Sequence, residues 1–91
     1  MSFTILFHPD AVQDIASLPP AMKKRLKKAI EERLMTEPTL YGKPLRATLK
    51  GYWKLRIGDY RVVFGIQGAD LFIYAVCHHR EVYQLITGRI S

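Results

Sequence analysis

One cysteine, Cys77, is all that the 91 residues contain, so no disulfide can staple the chain to itself and a disulfide scaffold of the secreted kind is excluded. A reducing cytoplasm is the expected compartment. Long apolar runs are missing as well. The longest, Leu71 to Cys77, is seven residues, against the roughly 20 that a bilayer requires. The opening MSFTILFHPD has neither a basic leader nor an extended apolar stretch, so no targeting segment and no membrane partner are expected. Carboxylates are scarce, eight Asp and Glu against fourteen Lys and Arg. That disfavours acid/base chemistry by paired carboxylates. No G-x-S-x-G, C-x-x-C, H-E-x-x-H or glycine-rich phosphate loop occurs, which removes the corresponding hydrolase, redox, zinc and nucleotide classes. Of the three histidines, His8 is remote in sequence and His78 and His79 are adjacent, pointing to opposite faces if they lie on a strand, so no metal is expected. No cofactor is expected either.

What the chain does have is positive charge and a clear hairpin. A formal charge of +6 in a single domain of 1–91 favours nucleic acid or an acidic protein as partner. Leu55 to Gln67, LRIGDYRVVFGIQ, is two strand-forming runs joined by Gly58-Asp59, a hairpin signal. Counting outward pairs Ile57 with Tyr60, Arg56 with Arg61, Leu55 with Val62 and Lys54 with Val63. Side chains alternate along a strand. Leu55, Ile57, Val62, Phe64 and Ile66 therefore share one face, and Lys54, Arg56 and Arg61 share the other. Arg56 opposite Arg61 disfavours the strand pair by about 0.2–1 kcal/mol unless solvent or an anion meets the two charges.

Phe3, Ile5 and Phe7 predict a strand over Ser2 to His8. A short helix follows over Pro9 to Ser17, with Val12, Ile15, Ala16 and Leu18 turned inward. A longer amphipathic helix runs from Pro20 to about Met35 on Met22, Leu26, Ala29, Ile30 and Leu34. Its lysines are expected to form ordinary i,i+4 pairs, Lys27 with Glu31 and Lys28 with Glu32. Thr36 to Leu49 is predicted to be a loop, with Lys43, Arg46 and Lys50 bordering a cleft. Gly68-Ala69 predicts a second turn and Asp70 to His78 a third strand. With Gln67 opposite Asp70, Phe64 meets Ile73, Val62 meets Ala75 and Arg61 meets Val76. The apolar face then continues through Leu71, Ile73, Ala75 and Cys77, and the basic face through Phe72, Tyr74, Val76 and His78. Arg80 to Ser91 is assigned no more than a tail or a helical turn. The fold class is α+β, a small antiparallel sheet with two N-terminal helices on one face. Trp53 is expected in the core, and Cys77 is expected to be buried and inert.

A cluster of arginine, lysine, histidine and tyrosine suits phosphate binding, charge stabilisation on a phosphorane-like transition state and base stacking. It suits metal-free RNA cleavage and passive binding alike. The strand-helix-helix-three-strand order, the stretch LKGYWKLRIGDYRVVF at Leu49 to Phe64 and the ending HHREVY at His78 to Tyr83 resemble the RelE/ParE superfamily of toxins, the RelE branch in particular. The resemblance implies the toxin half of a type II toxin-antitoxin pair, a ribosome-dependent endonuclease that cuts the A-site codon of mRNA by attack of the 2'-hydroxyl. It implies Arg61 on the scissile phosphate, Lys54 in proton transfer or charge stabilisation, and Tyr83 stacked on a base. His79 or Arg80 would act as the acid or the phosphate clamp, because the spacing to Tyr83 is one residue shorter than the common pattern. Lys50, Tyr52, Arg56 and His78 are candidate RNA contacts. Where the best-known RelE has a further lysine, this chain has Tyr52. The implied partner is a short, acidic or amphipathic antitoxin. A ParE-like gyrase inhibitor and a non-toxic binding module are the alternatives. Plainer roles are an Arg61 ion pair with Asp59 or Asp10, and Tyr83 as a core plug.

Overall fold

Two prolines set where the N-terminal helices begin. The computed structural model describes residues 2–46 and 49–90, so residues 47 and 48 of the expected loop and Ser91 of the C-terminal stretch lie outside the described residues. β1 (Thr4–Phe7) ends where Pro9 opens α1 (Pro9–Ala16). The His8 imidazole caps α1, its Nδ1 accepting the Asp10 amide at 3.0 Å. Pro20 opens α2 (Pro20–Ala29), which widens into a π-helical turn over Ile30–Leu34. A one-turn α3 (Pro38–Tyr41) and a two-residue β2 (Lys43–Pro44) occupy the stretch expected to be loop. β3 (Tyr52–Ile57), β4 (Tyr60–Gln67) and β5 (Asp70–His78) form the meander. A 3-10 turn (His79–Glu81) and α4 (Val82–Ile90) close the described chain.

The sheet order is β1-β5-β4-β3-β2. The meander and β2 are antiparallel, and β1 joins β5 in parallel, so the sheet is mixed. The β3–β4 register agrees with the expectation at every pair, Arg56 opposite Arg61 included. Gly58 has φ 60 and Gly68 φ 61, the left-handed backbone that tight hairpin turns demand. Leu26, Ala29 and Leu34 from the second helical stretch pack with Leu55, Ile57, Val62, Phe64, Leu71 and Ile73, and Trp53 joins this core.

Three expectations are corrected. The β4–β5 register holds from Gln67 opposite Asp70 to Phe64 opposite Ile73 and then shifts by one residue at Tyr74, so that Val62 meets Val76 and Arg61 meets Cys77. A bulge adds one residue and reverses the sidedness of everything beyond it. Val76 therefore joins the helix-side core, while Ala75 and Cys77 go to the other face. Second, that other face is not open: α4 covers part of it, with Val82 and Ile86 packed on Val63, Ala75 and Cys77. Among the described residues Val82 and Ile86 are its buried positions, four apart, and its Val, Ile, Thr and Gly residues are weak helix formers. Third, in α1 Ala11 is fully buried, while Val12 is 52% exposed and Ala16 is also exposed. Among the described residues no helix is long and apolar enough to cross a membrane.

Candidate functional site

Two like-charged cross-strand pairs lie side by side on the α4 side of the sheet. β2–β3 pairing sets Lys43 opposite Lys54, and β3–β4 pairing sets Arg56 opposite Arg61. With Tyr41 these four line a cleft of about 210 Å³. Among the described residues none of the four cations has a carboxylate within ion-pair distance. Four neighbouring positive charges without a counter-ion oppose folding and favour an anion. The polypeptide orients one of them: Arg61 Nη1 donates to the Gly58 carbonyl at 3.0 Å and to the Tyr60 carbonyl at 2.9 Å. Arg61 is thus held by its own turn, not by Asp59 or Asp10.

Tyr83, half-buried at the start of α4, adjoins the second core. Arg46 Cζ lies 5.3 Å from its ring centre and Lys54 Nζ 5.7 Å. The Arg46 guanidinium and the Lys54 charge hold its phenol below the ordinary tyrosine range. Lys54 is the link, since it belongs to the cleft and also covers the Tyr83 ring.

The hairpin turn carries the next group. The His79 amide donates to the Asp59 carbonyl at 2.9 Å, which docks the 3-10 turn beside the turn that holds Arg61. Desolvation, then the charges of His78, Arg61 and Arg80, lower the His79 pKa, so its imidazole is a neutral proton acceptor at neutral pH. Arg80 is exposed on the same turn, where its amide donates to His78 Nδ1 at 3.4 Å.

Lys54, Arg56, Arg61 and Tyr83 are thus gathered around one region, while His79 docks beside it by its backbone and sets its ring 4.4 Å from that of His78. Three candidate residues are placed differently. His78 lies beyond the bulge, opposite Tyr60, with ring centres 6.1 Å apart, and strand alternation puts it on the helix side, away from Arg61. Tyr52 sits edge-on to Tyr74 at 5.2 Å and adjoins the second core, toward the far end of β3 from Arg56. Lys50 is exposed in the turn before β3. Tyr41 is the lining residue that the sequence reading missed. The Gly42 break directly before Lys43 was its one available signal.

Asp14 and Arg89 form an ion pair at 2.7 Å with side chains 17% and 12% exposed. They serve the scaffold. Asp14 Oδ2 accepts the Val76 amide at 3.0 Å and Arg89 Nη1 donates to the Tyr74 carbonyl at 3.0 Å. These bonds satisfy the β5 backbone at the bulge, where β1 has ended, and tie α4 to α1. Cys77 is buried on the α4 side, and burial pushes its thiol up to about 11.

Residues 5–83 match the family model described as the ParE toxin of type II toxin-antitoxin system, parDE. Toxin RelG of Mycobacterium tuberculosis is 31% identical over 86 residues, which is 92% of this chain and 99% of that protein. Toxin RelE3 of Methanocaldococcus jannaschii is 28% identical over 82 residues, covering 87% and 93%. Among solved structures, a chain of the toxin-antitoxin complex RelBE2 from Mycobacterium tuberculosis superposes with a TM-score of 0.81 at 31% identity, covering 87% of this chain and 100% of that one.

Proposed function

The chain belongs to the RelE/ParE superfamily of type II toxin-antitoxin toxins, and on that premise we propose that it is an endoribonuclease that cuts mRNA codons in the ribosomal A site by attack of the 2'-hydroxyl. The observation that carries this reading is the cleft of Lys43, Lys54, Arg56 and Arg61, four cations without a carboxylate partner among the described residues, with the Tyr83 ring against Lys54. In the proposed reaction the 2'-oxygen attacks phosphorus, a base takes its proton, the bond to the 5'-oxygen breaks and that oxygen is protonated. The products are a 2',3'-cyclic phosphate and a 5'-hydroxyl end. Arg61, pre-oriented by the turn carbonyls, and Lys54 stabilise the charge that accumulates on the phosphoryl oxygens. Tyr83 stacks on the base and orients the attacking ribose. Neutral His79 is the proton acceptor. Arg80 is the alternative occupant of that place and would act as a phosphate clamp.

The partner is a cognate antitoxin, a reading supported by the toxin-antitoxin complex among the similar structures. An acidic, partly disordered chain would neutralise the basic cleft as it folds on it. A gyrase-inhibiting toxin is the second reading, favoured by the match to a ParE model.

The test is primer extension on a reporter mRNA after brief induction of the wild type, Arg61→Ala and Tyr83→Phe, with a gyrase supercoiling assay in parallel. Cuts within translated codons that disappear in Arg61→Ala are expected. Loss of one charge-assisted phosphate contact made in the transition state slows cleavage by about 100-fold or more. Intact mRNA with inhibited supercoiling would establish the gyrase reading instead.

A further inference from the structure

The basic surface does not stop at Arg56. Arg56 and Tyr41 also line a second, larger cleft of about 610 Å³ between the C-terminal part of α2 and the β3–β4 turn. Arg25, Lys28 and Arg33 add three further cations there, against one carboxylate, Glu32. Sequence spacing offered Lys28 and Glu32 as a neutralising i,i+4 pair. Among the described residues, however, neither that pair nor Lys27 with Glu31 is within ion-pair distance. Both pairs straddle the junction of α2 with the π-helical turn. The wider turn changes the angular offset on which i,i+4 pairing depends, and the cations remain available.

Arg25 reaches the hairpin itself: a Cβ built on Gly58 would stand 3.0 Å from Arg25 Nη1. Arg61 donates to the carbonyl of the same glycine. Two guanidiniums, one from each cleft, therefore converge on one turn. Tyr41, at the boundary between the clefts, is 48% exposed, and Arg33 Cζ lies 5.7 Å from its ring centre. An exposed ring backed by a guanidinium is a platform on which an unpaired base can stack.

From this continuity we infer that the second cleft holds the single-stranded RNA flanking the scissile phosphate, with Arg25, Lys28 and Arg33 on its backbone and Tyr41 stacked on an unpaired base. The inference rests on the endoribonuclease reading of the first cleft. Charge complementarity calls for a polyanion, and the shared Arg56 requires one that leaves the first cleft directly. An acidic peptide would meet the charge and leave Tyr41 without a flat partner.

The test is fluorescence anisotropy with 2'-O-methyl RNA, which lacks the attacking hydroxyl and stays intact, as a trinucleotide and as a decanucleotide. Wild type is expected to bind the decanucleotide about ten-fold more tightly or better. Arg25→Gln/Arg33→Gln loses that gain and flattens the dependence of log affinity on log salt by roughly 0.7 per phosphate contact removed. Tyr41→Ala loses about five-fold or more. Lys23→Gln/Lys24→Gln removes the same charge from α2 outside this cleft and is expected to bind as wild type does. An equal loss in that control would overturn the inference, as would duplex RNA bound as tightly as single strand with Tyr41→Ala silent. A gain that survives in Arg25→Gln/Arg33→Gln while Lys54→Gln/Arg61→Gln abolishes binding would overturn this inference alone. No RNA binding by wild type at low salt would overturn it together with the reading of the first cleft.

Discussion

Arg61 is held by two carbonyl oxygens of its own hairpin turn, and carbonyls orient a guanidinium without cancelling its charge. A carboxylate in the same place would have done both. His79 complements it, since desolvation and neighbouring cations lower its pKa, and a lowered pKa keeps the neutral imidazole present further into acid. If His79 is the base, the cleavage rate falls as pH drops through a value below 6.5, and that acid limb is absent from the residual activity of His79→Gln. A limb that persists in His79→Gln would transfer the role elsewhere. Gly42 is constrained by space, not by backbone angle. A Cβ there would stand 2.7 Å from Cζ of the fully buried Phe64 and 2.9 Å from the Pro38 carbonyl oxygen. Gly42→Ala is expected to destabilise the fold by about 1–3 kcal/mol, read as a melting temperature lowered by roughly 4–8 °C per kcal/mol.

At the scale of elements, α4 is the piece on which the site depends. It carries Tyr83 against Lys54 and is fastened through Arg89 to Asp14 and to the Tyr74 carbonyl. Asp14→Ala would leave a nearly buried guanidinium with only its longer contact to the exposed Asp10, at 3.5 Å, and the Val76 amide without its acceptor. A loss of about 3 kcal/mol is expected. Thermal melts would read it, and amide exchange would show Val76 losing protection, whereas an unchanged melt would mean that the Asp14–Arg89 pair is not what holds α4. The bulge at Tyr74 is the second element-scale device. It sends Ala75 and Cys77 to the α4 side, where two small side chains let the helix approach the sheet.

Over the whole molecule the surplus of cations is not spread evenly, because strand pairing concentrates Lys43, Lys54, Arg56 and Arg61 in one cleft. If those four each meet a phosphate, log affinity for single-stranded RNA falls with log salt at a slope of about −3, since each contact contributes roughly −0.7. A doubling of salt would then weaken binding by about seven-fold. Anisotropy titrations across a salt series would measure this, and a slope near zero would remove the electrostatic account of the cleft.

The sequence by itself determined the hairpin, its register and the partition of Leu55, Ile57 and Val62 from Lys54, Arg56 and Arg61, because alternation and a glycine-led turn are local rules. It also determined the two N-terminal helices and the family pattern that pointed to Arg61 and Tyr83. Tertiary structure alone decided what lies beyond Tyr74. A bulge is one residue of slippage, chosen by how α4, Asp14 and Arg89 satisfy the β5 backbone, and no local pattern encodes it. The same holds for α4, whose helix exists by packing and not by propensity. It holds also for the two clefts that meet at Tyr41 and Arg56, where side chains distant in sequence are brought together only when β2 and α2 close on β3.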